Sequence, residues 1–480
     1  MNVALLINGA DVNARNNATF VRKDPVTGQV ASTAAAATVE DVNAACAAAA
    51  AAFPAWSETG PNERRKLLLK AADLLEAKTP DFIKLMIEET GATGPWSGFN
   101  VMFAAKILRE AACMTTMIHG EVVPSDKPGC FSMAIRQPAG VCVGMAPWNA
   151  PVILGVRAVA MPLACGNTVV MKASETCPGT HALIGKVLQE AGLPKGVINV
   201  VTHSREDAPQ VVEALIAHPA VRRVNFTGSS HVGRIIAQTA AKYLKPVLLE
   251  LGGKAPLLVL DDANLDDAVD AAAFGAFMHQ GQICMSTERI IVDRKIADAF
   301  VGKLANKANS LPYGDPRGQV VLGSLVSEQA ADRMDELMKD AIAKGAKLVA
   351  GGKRTGTIWS ATLLDNVNPQ MKIYREESFG PVKSIIRVDG DDEAVNVAND
   401  TEYGLSSAVF SQDIQRAMAV AKRIQSGICH INGPTVNDEA QMPFGGTKDS
   451  GYGRFGGTAA IAEFTELRWI TIESHQHYPF

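Results

Sequence analysis

At 480 residues, with 47% hydrophobic and 20% charged side chains, the chain is too long for one simple core and too apolar for disorder, and it suits two or three globular domains. A net charge of −4 gives no footprint for nucleic acid, and no run approaches the roughly 18 apolar residues of a membrane helix. Eight cysteines without a CxxC pair read as reduced thiols, and Met1 to Gly9 carries no basic leader, so a cytoplasmic location is expected.

In chain order, Thr38-Val39-Glu40-Asp41 offers an N-cap with acids in the first turn of a surface helix through the alanine run 44–52. Helical periodicity covers Glu63 to Met86 and Phe103 to Ile118. Cys130 to Arg136 then alternates like an exposed strand. Because a lone strand is marginal in water, it is expected to act as an arm pairing across a subunit interface. From Val141 to Glu250 strands and helices alternate: strand-like runs at 141–145, 168–171, 197–201, 223–226 and 247–249 are separated by helical patterns at 152–164, 180–191, 209–217 and 232–243. That order predicts an α/β fold with a parallel sheet, whose ligands sit at the carboxyl ends of its strands.

Those strand ends carry polar chemistry: Pro147-Trp148-Asn149, Lys172-Ala173-Ser174-Glu175, Thr227-Gly228-Ser229 and Glu250-Leu251-Gly252-Gly253-Lys254. The Thr227 to Gly233 turn opens a helix, where free N–H groups and the dipole favour a phosphate. An acid such as Glu175 beside a dinucleotide site accepts hydrogen bonds from ribose hydroxyls and repels a 2′-phosphate; the competing reading of Lys172 and Glu175 is a solvated surface pair. A second α/β unit follows. Its apolar helix from Leu265 to Phe277 runs into Gln280-Gly281-Gln282-Ile283-Cys284 before a strand at 289–292, which puts one thiol on a turn at an element boundary. Further helices are expected at 295–308, 328–344, 391–399 and 414–424, with strands at 383–388, 408–410 and 428–432. Thiolates attack carbonyl carbon well, and an unperturbed pKa of about 8.5 needs only modest activation. Arg468 to Glu473 alternates like a strand and is a natural partner for the arm. His475 and His477, two histidines with no third ligand, read as solvated rather than metal-binding.

Taken together, Pro147-Trp148-Asn149, the 172–175 tetrad, Phe226-Thr227-Gly228-Ser229, Glu250 to Lys254, Gly281 to Cys284, Glu376-Glu377-Ser378-Phe379-Gly380-Pro381 and Pro443-Phe444-Gly445-Gly446 resemble the aldehyde dehydrogenase superfamily, in order and over the whole chain. The resemblance implies a Rossmann-type NAD-binding domain (1–118 and 139–251), a catalytic domain (252–450) and an oligomerisation arm (119–138 and 465–480) that makes a homodimer or homotetramer. It implies that Cys284 is the nucleophile, that Asn149 and the Cys284 N–H hold the oxyanion, and that Glu250 activates water to hydrolyse a thioester. NAD is the implied cofactor, met by Trp148, Lys172, Glu175, Gly228, Ser229, Val232, Leu251, Gly252, Glu377 and Phe379.

The run from Asn149 to Ala158 resembles the branch acting on aromatic aldehydes. Small Ala150 leaves room for a ring, and Ile153 and Arg157 share a helix face at i and i+4. Arg157 is expected to stack on the ring or hydrogen-bond a ring hydroxyl, the alternative being a salt-bridged helix residue. Trp96, Phe99, Met285 and Phe444 are expected apolar walls. The implied reaction is oxidation of salicylaldehyde to salicylate, a step of bacterial naphthalene breakdown, with benzaldehyde or vanillin as alternatives. An inactive NAD-binding relative would be expected to lack Cys284 or Glu250, and both are present. Phe455 stands after Arg454 where the family usually has glutamate.

Overall fold

The computed structural model describes residues 1–474 and 478–480, so His475 and His477 lie outside the described residues. An eight-stranded sheet organises the first half. From one edge to the other its strands are Gly451–Tyr452, Val247–Glu250, Val221–Thr227, Val141–Met145, Thr168–Lys172, Ile198–Val201, Leu5–Ile7 and Ala10–Val12. The five central strands from Val247–Glu250 to Ile198–Val201 are mutually parallel. The chain order reverses at Val141–Met145, which has the next strand on one side and a later one on the other. This is the switch point where a cleft opens at strand carboxyl ends.

The expected strands of this sheet are all present; what the periodicity did not reveal lies at its margins. Leu5–Ile7 and Ala10–Val12 close one edge as an antiparallel hairpin. Gly451–Tyr452 returns from far along the chain to pair antiparallel with Val247–Glu250, stacking Glu250 opposite Gly451. The helix Val39–Ser57 has the expected start, with Thr38 and Asp41 forming a reciprocal capping box. It is the expected surface helix with an amphipathic split: Val42, Ala45, Cys46, Ala49 and Trp56 are buried, while Glu40, Asn43, Ala47 and Ala51 are exposed. The helical stretch 63–86 is two helices, Pro61–Ala77 and Thr79–Thr90, since Pro80 brings no N–H to continue the ladder. The next helix begins at Gly94, nine residues before Phe103, and runs to Met114.

The second unit holds a seven-stranded sheet in the order Lys347–Ala350, Thr362–Asp365, Val382–Val388, Arg289–Asp293, Pro256–Val259, Ser406–Phe410 and Ile428–Ile431, parallel except for the first. Pro256–Val259, Lys347–Ala350 and Thr362–Asp365 are further strands beyond those expected. The arm is a separate three-stranded ribbon, in which Phe131–Pro138 pairs antiparallel with Thr465–Ile472 through its full length and with Glu121–Val122. The arm strand therefore finds its partner within the same chain. Among the described residues no helix is long and apolar enough to cross a membrane.

Candidate active site

The cysteine turn is built under strain and bolted on several sides. After the helix Leu265–Phe277, His279, Gln280 and Gly281 all take left-handed backbone angles, with φ of 49°, 56° and 73°. A left-handed non-glycine residue costs about 1–2 kcal/mol, so its surroundings must hold it there. Gly281 has no choice of residue, since a Cβ there would lie 2.3 Å from the Gly380 carbonyl oxygen. Gln280 Nε2 donates to the Ser324 carbonyl at 2.8 Å, and the Val326 N–H donates to Gln282 Oε1 at 3.0 Å. Ser286 Oγ donates to the Gly275 carbonyl at 3.0 Å. Cys284 is thus presented by a turn that cannot drift.

Three other segments converge on it. Asn149, just past the strand Val141–Met145, sends Nδ2 to the Gln282 carbonyl at 3.0 Å, and its own carbonyl accepts from Trp96 Nε1 at 3.1 Å. Glu250 ends the strand Val247–Glu250. Gly253, three residues on, approaches so closely that a Cβ would sit 2.3 Å from the Cys284 carbonyl oxygen. From the second unit, Glu377 Oε1 accepts the Gly253 N–H at 2.9 Å, and Phe379 meets Trp148 edge-on with ring centroids 5.7 Å apart.

The electrostatics of the two reacting groups follow from burial. Glu250 is fully buried, and neither carboxyl oxygen has a hydrogen-bond partner among the described residues. Burial lifts its pKa to about 8, against the opposing charge of Arg157 and the nearby Cys284 thiol. Burial also pushes the Cys284 thiol well up, and the carboxylates of Glu250 and Glu377 add to it. A carboxyl poised near neutrality beside a thiol suits proton transfer.

Two cavities meet at this point. One of about 420 Å³ is lined by Trp148, Thr227, Gly228, Ser229, Glu250, Leu251, Gly252, Glu377 and Phe379. The other, about 470 Å³, is lined by Trp96, Phe99, Ala150, Ile153, Arg157, Met285 and Phe444, all seven expected substrate residues. Asn149, Leu154 and Cys284 belong to both. The helix Gly94–Met114 stacks Trp96 on Phe99 and Phe99 on Phe103, at 5.6 and 5.8 Å, as an aromatic stripe at helical spacing along the second cavity.

The first cavity fits a dinucleotide. Ser229 caps the helix Ser230–Lys242, with Oγ accepting the Val232 N–H, so a helix amino end faces the cavity as a phosphate requires. A side chain at Gly252 would meet the Glu377 carboxylate at 2.8 Å, and one at Gly228 would strike the Phe226 ring at 2.3 Å. Lys172, Glu175 and Val232 stand outside that wall, the first two at the carboxyl end of the strand Thr168–Lys172. Burial works to raise the Glu175 carboxyl, but the charge of Lys172, a backbone hydrogen bond and the charges of His203 and Arg205 together hold its pKa below the usual range.

One expectation is corrected. The Arg157 guanidinium is ion-paired with Asp438 and lies 4.4 Å over the Phe444 ring. Its charge is already engaged within the wall, as in the salt-bridged alternative. Asp438 was not found from the sequence. Pro151–Ala164 is buried along its whole length, and a lone arginine in such a helix announces a partner without saying which, since the acid lies 281 residues away. His279, stacked on Trp96 at 4.9 Å, was also missed. Phe455 is buried between Arg157 and Phe464, and its backbone bonds Phe444.

The chain belongs to the aldehyde dehydrogenase family, whose profile matches residues 12–470. Among relatives, a vanillin dehydrogenase of Pseudomonas fluorescens is 61% identical over 100% of both chains. The solved structure of a salicylaldehyde dehydrogenase from Pseudomonas putida G7, complexed with salicylaldehyde, superposes with a TM-score of 0.98 at 52% identity and covers 100% of both chains. An NAD-dependent aldehyde dehydrogenase from Sinorhizobium meliloti gives a TM-score of 0.96 at 34% identity, covering 100% of this chain and 96% of that one.

Proposed function

We propose that this NAD-dependent aldehyde dehydrogenase oxidises a ring-hydroxylated benzaldehyde to its carboxylate. The observation that carries the reading is the meeting of the two cavities at Cys284 and Asn149, with Glu250 on the cofactor side only. The Cys284 sulfur, once its proton is lost to solvent, attacks the aldehyde carbon as the thiolate. Asn149 Nδ2, pinned beside the turn by the Gln282 carbonyl, and the Cys284 N–H hold the oxyanion. Preorganised donors of this kind contribute roughly 3–4 kcal/mol each. NAD, when bound, supplies the hydride acceptor. Glu250 then takes a proton from water, which hydrolyses the Cys284 thioester and releases the acid. Trp148, Gly228, Ser229, Val232, Leu251 and Gly252 form the dinucleotide path, Glu377 and Phe379 hold its nicotinamide end, and Lys172 and Glu175 hold the adenosine ribose, where the acid disfavours a 2′-phosphate.

The flat walls of Trp96, Phe99 and Phe444 suit an aromatic ring, with Ala150 leaving it room. The 61% identity to a vanillin dehydrogenase supports vanillin, and the 0.98 TM-score to a salicylaldehyde dehydrogenase supports salicylaldehyde as the second reading. Residues 1–118 and 139–251 form the cofactor domain and 252–450 the catalytic domain, in the cytoplasm, where the free state of all eight cysteines is expected. The arm carries exposed Val122, Leu467, Trp469 and Ile472, an apolar ribbon suited to a homodimer or homotetramer. The test is a kcat/KM panel with NAD over vanillin, salicylaldehyde, benzaldehyde and a short aliphatic aldehyde. Vanillin is expected to lead; salicylaldehyde leading would reverse the order, and an aliphatic lead would overturn the aromatic reading.

A further inference from the structure

Four residues beyond Cys284, the Glu288 carboxylate is almost completely enclosed and takes four hydrogen bonds. Lys254 Nζ donates to it at 2.7 Å, Lys383 Nζ at 2.6 Å, the Ser378 N–H at 2.9 Å and Ser378 Oγ at 2.7 Å. Both lysines are themselves inaccessible to solvent. This one group therefore joins three segments of the site. Lys254 continues the turn that begins at Glu250, Glu288 continues the turn that carries Cys284, and Ser378 lies between Glu377 and Phe379. Replacing buried ionic groups by apolar ones of equal volume often leaves stability unchanged or improved, so stability alone does not account for such a network. What it does account for is a backbone conformation. Phe379 is left-handed at φ 50°, a strained state for a residue with a Cβ, and such a state persists only where its neighbours are fixed. Glu288 fixes Ser378 through both its backbone and its side chain. Lys254, on the same carboxylate, fixes the loop whose Gly253 N–H orients Glu377.

We propose that Glu288 is a positioning residue that sets Glu377 and Phe379 against the Cys284 turn and thereby controls NAD affinity. The inference rests on the reading of Glu377 and Phe379 as holding the nicotinamide end. Glu288 touches neither substrate nor cofactor; its effect passes through Ser378 and Lys254.

The experiment measures NAD dissociation by tryptophan fluorescence without aldehyde, together with KM for NAD and for the aldehyde, on full-length protein whose fold is checked by circular dichroism. Glu288→Gln keeps the shape and removes the charge. It is expected to weaken NAD at least tenfold in both dissociation constant and KM, while KM for the aldehyde stays within twofold. Glu288→Asp is expected to recover most of that loss. Glu377→Gln is run alongside and is expected to weaken NAD tenfold. If Glu377→Gln acts and folded Glu288→Gln binds NAD within twofold of the parent, the positioning role is overturned. If Glu377→Gln is itself silent, it is the cofactor reading that falls. Should Glu288→Gln not fold, Ser378→Ala decides, because it leaves the lysine pairs intact: at least threefold weaker NAD is expected, and an unchanged dissociation constant overturns the inference.

Discussion

Replacing Glu250 by glutamine should make the protein more stable in step with pH while stalling its turnover. Glu250 is buried and unpartnered, with a folded pKa of about 8 against an ordinary value of 4.5. Between those values the unfolded chain gives up the proton that the folded protein keeps. Stability associated with this group is therefore full below pH 4.5 and is lost as pH rises through about 8. One pKa unit corresponds to about 1.36 kcal/mol, so the loss is about 3 kcal/mol at pH 7 and near 5 kcal/mol when complete. Glutamine carries no charge and escapes it. The buried amide has its own cost, roughly 1–3 kcal/mol, but that cost does not vary with pH. The quantity to measure is thus the difference in Tm between variant and parent at pH 5 and again at pH 8. It should grow by about 3 °C, given an unfolding entropy of roughly 2.1 cal/mol/K per residue. In the same variant, rapid mixing with aldehyde and NAD should give a stoichiometric burst of NADH followed by little turnover, because acylation proceeds and deacylation does not. A Tm difference independent of pH would refute the account of Glu250 as a buried, raised carboxyl. Steady turnover without a burst would refute its role in deacylation.

Cys284→Ser should abolish oxidation and leave NAD binding within about twofold, since the thiol touches the cofactor cavity only at its end; surviving turnover, measured as NADH formation, would remove the nucleophile. Asp438→Asn leaves Arg157 buried and unpaired, at a cost of about 3–5 kcal/mol in unfolding free energy by denaturant titration. The same change removes a carboxylate that raises Glu250, so the limb of the kcat–pH profile near pH 8 should move to lower pH, and a limb that stays put or rises would contradict the proximity of the pair to the reacting groups. Trp469→Asp places a charge on the exposed face of the arm. It should weaken assembly by about 2 kcal/mol or more, roughly thirtyfold, as read by light scattering across a dilution series, and an unchanged mass would place the interface elsewhere.

Local pattern made much of this protein legible. The alternation between 141 and 250 predicts the parallel strands because each is a short apolar run bounded by turn residues, and the strand ends are where Asn149, Glu250 and the Ser229 cap then stand. Trp96 and Phe99 were expected as apolar walls, but their stacking with Phe103 was not legible, because the helical pattern was read only from Phe103 while the helix begins at Gly94. The sheet margins were not legible either, because a three-residue strand such as Leu5–Ile7 has no periodicity to read. Charge pairing was out of reach for a different reason. A sequence shows that Arg157 and Glu288 are charged, but their partners, Asp438, Lys254 and Lys383, are fixed by how two sheets pack.

The amino-acid order alone determined which side chains can do the chemistry and on which turns they lie, because turn and strand propensities act over a few residues. Only the tertiary structure decided that Glu250 is buried without a hydrogen-bond partner, that Arg157 is already engaged, and that Phe379 is held in a strained state. Desolvation, long-range ion pairing and backbone strain depend on atoms brought together from hundreds of residues apart.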